Sequence, residues 1–178
     1  LFGVDLDIAT VLLAMIPFFT ILFTPLFGAL VDKVGKATLW MIVGSAMVLV
    51  SHLIITFAPQ GEPMYAYIAI ALLGIGYSLV PSAMWPSVPK IIPEKNLGTA
   101  YSLIYWVQNL GMWAVPIYVG RIFKKEITEA GNISQEITAA IHAEYVFIFL
   151  GIVAIATAMM LYHSSRRHPE LRLDEPAQ

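Results

Sequence analysis

From residue 8 to residue 31 the chain carries no charged side chain. A stretch of that length, wound as a helix, crosses a hydrocarbon core about 30 Å thick, which takes roughly 20 apolar residues. The pattern recurs at residues 39–58, 64–88, 97–120 and 145–162, each stretch bounded by charge or by proline and glycine. Inside lipid every backbone N–H and C=O must find its partner within the segment, so each stretch is expected to be a helix. The two-residue alternation of an outer-membrane barrel strand is missing. Asp5 and Asp7 precede the first stretch and no basic residue does, which is the wrong charge pattern for a signal peptide. Only 12% of the residues are charged, about half of what a soluble domain carries. The expected fold is therefore an all-α integral membrane bundle of five transmembrane helices. An odd count, and a start at Leu1 with no polar leader, make the chain read as a piece of a longer one.

Several function classes drop out early. There is no cysteine, so disulfide scaffolds, thiolate metal centres and cysteine nucleophiles are excluded. The net charge is −2, without a basic block, which argues against nucleic acid as a partner. No nucleotide loop, metal-ligand spacing or catalytic triad pattern occurs, so no metal, cofactor or enzymatic activity is expected. Lys33, Lys36, Lys90, Lys95, Arg166, Arg167 and Arg172 lie in the first and third connections and the tail, while Arg121, Lys124 and Lys125 share the fourth connection with Glu126, Glu129 and Glu136. By the positive-inside rule the first group, including the tail at residues 164–178, is cytoplasmic. Trp40, Tyr65 and Tyr162 fall near helix ends, where amphipathic rings favour the interface. The tail is polar and contains proline, and is expected to be loosely ordered. Residues 134–143 read as a separate amphipathic surface helix. Asn132-Ile133-Ser134 is a glycosylation sequon or a chance occurrence in a polar loop.

The first connection reads Gly28-Ala29-Leu30-Val31-Asp32-Lys33-Val34-Gly35-Lys36. Gly28 permits close helix approach, Asp32 can face the positive end of a neighbouring helix, Gly35 allows a tight turn, and Lys36 supplies charge. This Gly-x-x-x-Asp-x-x-Gly-basic pattern resembles the cytoplasmic loop signature of the major facilitator superfamily, which joins helices 2–3 and, in a weaker copy, helices 8–9. Read as the second copy, it makes the five stretches helices 8–12 of a twelve-helix carrier, with a cytoplasmic carboxy terminus. The first copy would instead end the chain after helix 6. A second series, Gly74-x-x-Tyr77-Ser78, Trp85-Pro86-x-Val88, Pro93-Glu94-x-x-Leu97-Gly98-Thr99-Ala100-Tyr101 and Gln108-Asn109-Leu110-Gly111, is similar to one branch of that superfamily. The branch is that of major facilitator superfamily domain-containing protein 1, with its lysosomal dipeptide carriers and bacterial relatives. The resemblance implies alternating-access transport of dipeptides or similar small solutes, with the lipid bilayer and the missing amino-terminal half as partners. It also implies a bacterial inner membrane, or a lysosomal one in a eukaryote. Carriers of sugars, drugs or organic anions, and a non-transporting sensor or assembly subunit, are the alternatives.

Carrier sites lie near the bilayer midplane, where polar groups face a cavity. Tyr77, Ser78, Ser82 and Trp85 on the third stretch, and Tyr105, Gln108 and Asn109 on the fourth, are the substrate-cavity candidates. Each also has a packing reading: serines and glycines suit helix contacts, and the two amides suit interhelical hydrogen bonds. Gly74 and Gly76 read as packing residues. Thr20 and Thr24 gain weight from the resemblance, and Pro17 and Pro25 are expected to bend the first helix. His52 is the one histidine well inside a stretch; a structural hydrogen bond, or a place near the interface, is expected of it rather than a proton relay. No Asp, Glu, Lys or Arg falls within a stretch, so either the coupling charges lie in the missing part or the carrier is not proton-driven. Gly28, Asp32, Gly35 and Lys36 form the expected conformational-switch loop.

Overall fold

The computed structural model describes residues 2–128 and 131–176. Glu129, one of the acidic groups expected to offset the fourth connection, and the last two residues of the tail lie outside them. Five long helices follow one another: α1 (Leu6–Val34), α2 (Ala37–Phe57), α3 (Pro63–Ile91), α4 (Leu97–Glu126) and α5 (Ile133–Arg167). Single 3-10 turns occupy Glu94–Asn96 and Pro169–Leu171. No strand occurs among the described residues. α1, α3 and α5 run past their uncharged stretches at both ends, α2 only at its start and α4 only at its end, where the flanking residues continue the hydrogen-bonded spiral. Pro17, Pro25, Pro81, Pro86, Pro89 and Pro116 all lie inside helices that run on through them.

Four helices, α1, α2, α3 and α5, are long and apolar enough to cross a membrane. α4 is long enough, at 30 residues, but more polar, because Gln108, Asn109 and several tyrosines interrupt its apolar surface.

The helices pack in the spatial order α1–α3–α2–α5–α4. Small residues let the inner ones come close. A Cβ on Gly76 would sit 2.7 Å from the Gly44 carbonyl oxygen of α2, and one on Gly74 would sit 2.4 Å from the Phe19 ring of α1. Gly74 and Gly76 are thus packing positions, as their sequence context suggests. The buried Ser51 hydroxyl donates to the Ala69 carbonyl at 2.7 Å and ties α2 to α3.

Three features depart from the sequence reading. Residues 134–143 are no separate surface helix: Asn132 caps α5 by accepting from the Gln135 amide at 3.3 Å, and the helix runs unbroken for 35 residues. At 1.5 Å per residue that is about 52 Å, well beyond a bilayer core. The longer helix carries Glu144 beside His52 of α2, with Nδ1 to Oε2 at 2.7 Å, and the His52 ring stacks on Phe147 at 5.1 Å. A carboxylate therefore does lie at the edge of the fifth stretch, and His52 has the structural hydrogen bond expected of it. Finally, the tail is docked rather than loose. Leu173 is 1% exposed, and Asp174 reaches Thr38 at the start of α2.

Candidate functional site

α3 and α4 are joined by a short turn, yet they touch little along their lengths. Their principal contact is aromatic. Trp85 of α3 stacks on Tyr105 at 5.2 Å and lies tilted against Tyr101 at 5.7 Å. Such ring pairs contribute about 0.5–1.5 kcal/mol beyond the area they bury. They join α3 to α4 close to the connecting turn. Higher up stand Tyr77 on α3, 55% exposed, and Gln108 and Asn109 on α4, both exposed. Counted from the connecting turn at 1.5 Å per residue, Tyr77 and Asn109 lie at a comparable depth of about 20 Å.

The face of α4 that carries this chemistry follows from spacing. Tyr101, Tyr105, Gln108 and Met112 recur every three or four residues and so share one side of the helix. Asn109, one position on, turns part of its amide back: Nδ2 donates to the Tyr105 carbonyl at 2.8 Å. Its side-chain oxygen and the whole Gln108 amide project from the exposed side. No residue of α4 is buried. Within a bilayer an amide cannot face lipid cheaply, so this face requires water or protein opposite it.

The serines fall elsewhere. Ser78 and Ser82 are buried on the side of α3 turned to α1. Ser78 donates to the Gly74 carbonyl at 2.6 Å. Ser82 donates to the Ser78 carbonyl at 2.7 Å and reaches the Thr24 carbonyl of α1 at 3.1 Å. Thr20 likewise bonds back to Ile16 at 3.0 Å, while the Thr24 hydroxyl is buried with no hydrogen-bond partner among the described residues. The structure thus joins Trp85 to Tyr105, leaves Tyr77, Gln108 and Asn109 exposed on their helices, and buries Ser78 and Ser82 on the side of α3 that meets α1. Tyr101 joins the aromatic group; its place one turn before Tyr105 is the sequence signal for it.

A second polar centre lies at one end of the bundle. Gly35 adopts φ +71° and Lys36 φ +58°, so the chain reverses sharply between α1 and α2. Lys36 therefore opens α2 without a side-chain acceptor for the free amides. Asp174 supplies one from the far end of the chain: its Oδ1 accepts from the Thr38 amide at 2.9 Å and hydroxyl at 2.7 Å, and its Oδ2 from the Ser165 hydroxyl at 2.8 Å. Asp32, by contrast, is exposed, and Gly28 has open space around it. The sequence pattern marks the turn but carries no sign of the tail residue that caps it. Among the described residues, no cluster of His, Asp or Glu is arranged to hold a metal ion.

Comparison with known proteins places these features in context. Residues 1–178 match the Major Facilitator Superfamily. The chain is 44% identical over 99 residues to the lysosomal dipeptide transporter MFSD1 of Mus musculus, a match covering 56% of this chain and 20% of the relative. The human protein of the same name is 42% identical over the same extent. The Danio rerio protein is 32% identical over 139 residues, or 78% of this chain and 27% of its own length. The chain thus spans about a fifth to a quarter of the curated relatives it matches. No solved structure matches it. With its all-helical architecture, apolar helices and full-length family match, this integral membrane chain belongs to the Major Facilitator Superfamily.

Proposed function

We propose that the chain is the carboxy-terminal part of an alternating-access carrier for small organic solutes, dipeptides foremost. One observation carries this reading: the exposed face of α4 that bears Tyr105, Gln108 and Asn109, joined to α3 through Trp85. It rests also on the family and on the dipeptide transport for which the relatives are named. In this reading α4 completes a fifth crossing, and α1–α5 correspond to helices 8–12 of twelve. The bilayer is a bacterial inner membrane, or a lysosomal membrane in a eukaryotic cell, and no chemistry is performed on the solute.

Each residue then has a role that its chemistry suits. Gln108 and the Asn109 oxygen offer donors and acceptors to a peptide backbone, which presents both. Tyr77, Trp85 and Tyr105 give apolar faces with polar rims to side chains of varied size. Ser78 and Ser82 hold α3 in register on α1 behind the wall. Gly28, Asp32, Gly35 and Lys36 act as the switch turn, with the exposed Asp32 carboxylate docking on a helix end of the missing half in one state.

Uptake of labelled dipeptides by the full-length protein in proteoliposomes tests the reading, with unlabelled dipeptides, sugars and organic anions as competitors. Dipeptide uptake that falls at least ~10-fold in Gln108→Ala is the expected result, the loss expected for one good hydrogen bond to a charged or strongly polar partner. Uptake of sugars or anions alone would reassign the solute. No uptake of any solute would favour a sensor or assembly subunit.

A further inference from the structure

The segment after α5 is polar, yet it makes contacts with the ends of α2, α3 and α5. Leu173 is the anchor, its side chain fully enclosed. Asp174 caps α2 through Thr38 and binds Ser165 of α5. Its carbonyl accepts from the Lys36 amide at 2.8 Å. The Lys90 ammonium, at the end of α3, donates to the carbonyls of Arg172 at 3.3 Å and Glu175 at 3.0 Å. The backbone turns into this groove through Arg172, at φ +50°. Gly35 completes the fit: a Cβ there would stand 2.4 Å from the Asp174 carbonyl oxygen and 2.8 Å from the Pro176 nitrogen. The turn between α1 and α2 thus needs glycine for two reasons, its backbone conformation and the tail lying across it.

We propose that residues 172–176 form a releasable clasp that holds the α1–α2 turn against the ends of α3 and α5, so that anything capturing or modifying the tail frees that turn. Apart from Leu173, the contacts are hydrogen bonds at the solvent-facing end of the bundle, where water can replace each partner as it leaves. The groups that hold the tail, Lys36, Thr38, Lys90 and Ser165, belong to the ends of α2, α3 and α5, so they stay in place to receive it again. An acidic group at the amino end of α2 also meets the positive end of the helix dipole, which favours return. The inference stands on these contacts and not on the transport reading.

Hydrogen exchange of the full-length protein in nanodiscs tests it, read at the amides of residues 36–40. In Asp174→Ala, and in a chain stopped after Leu171, these amides should exchange ~10-fold faster, as expected for a lost cap of about 1.4 kcal/mol. The amides around Ser51, deep in α2, should not change. A synthetic peptide of residues 170–178 added to the shortened chain should restore protection, and the same peptide with Asp174→Ala should not. Unchanged exchange at residues 36–40 in both variants would overturn the clasp. Loss of protection that the intact peptide cannot restore would overturn its release and return. If the shortened chain also loses protection around Ser51, Asp174→Asn, which keeps the side-chain size, decides the first question, and the peptide is tested on that variant by displacement of its weakened tail. Because no arm measures uptake, a carrier that moved no dipeptide would leave this result intact.

Discussion

Gly44 and Gly76 meet where α2 crosses α3: a Cβ on Gly44 would stand 3.0 Å from the Gly76 carbonyl oxygen, and one on Gly76 2.7 Å from that of Gly44. Backbone cannot step aside as a flexible side-chain end can, so Gly76→Ala must push the two helices apart. Overpacking of this kind costs about 1–3 kcal/mol. The thermal midpoint of the full-length protein in detergent should fall for Gly76→Ala. It should hold or rise for Gly120→Ala, where a Cβ finds nothing within 4 Å. Equal loss in both would mean that helix approach is not what Gly76 serves. His52 and Glu144 raise a different question, since each is the other's partner in a mostly enclosed place, with side chains 12% and 16% exposed. Glu144→Ala leaves the imidazole without its acceptor, at about 1–3 kcal/mol. Adding His52→Phe should then regain part of that loss, because the stranded polar group is gone while a ring remains against Phe147. If the two losses simply add, the pair is not coupled.

α4 is the helix whose composition sets it apart, and the difference belongs to one face. Val107 and Leu110 are exposed apolar residues, whereas Gln108 on the same turns is an exposed amide. A helix alone in lipid would not tolerate that face, while one beside an aqueous cavity needs it. In the reconstituted full-length protein, a cysteine placed at Gln108 should therefore react with a charged, water-soluble maleimide, and one at Val107 should not. A cysteine at Ser82, hidden behind α3, should be unreactive as well. If Val107→Cys labels as fast as Gln108→Cys, α4 lies outside the hydrocarbon and is no cavity wall. The neighbouring α5 teaches the opposite lesson about reading elements. Its first residues, 134–143, look like a surface segment because they are polar and amphipathic. They form one helix with the apolar run because Asn132 caps it and neither proline nor glycine intervenes before Gly151.

The helices themselves were readable because hydropathy is local: a run without charge declares itself whatever lies across from it. The sharp turn at Gly35 was readable for the same reason. The aromatic closure by Trp85, Tyr101 and Tyr105 could be guessed only in part, since spacing puts rings on a face without saying which face meets which. What joins distant parts was not readable. Nothing beside Glu144 names His52, 92 positions away, and nothing beside Asp174 names Thr38, 136 positions away. Those contacts are products of packing, and they fix how the ends of the bundle are sorted. Because the tail binds Lys36, Thr38 and Lys90 together, the α1–α2 turn, the end of α3 and the tail must share one side of the membrane. That side holds seven of the ten basic residues, so the positive-inside rule predicts that it is cytoplasmic. The prediction is a matched pair of labels in intact cells, with the full-length protein otherwise free of thiols. A cysteine at Gln60, in the exposed α2–α3 turn, should react with an impermeant reagent from the non-cytoplasmic side. A cysteine at Lys95, in the α3–α4 turn, should react only after the membrane is opened. Reversed labelling would overturn the orientation while leaving the sorting intact, because the tail contacts fix which ends lie together and the charges alone decide which way they face.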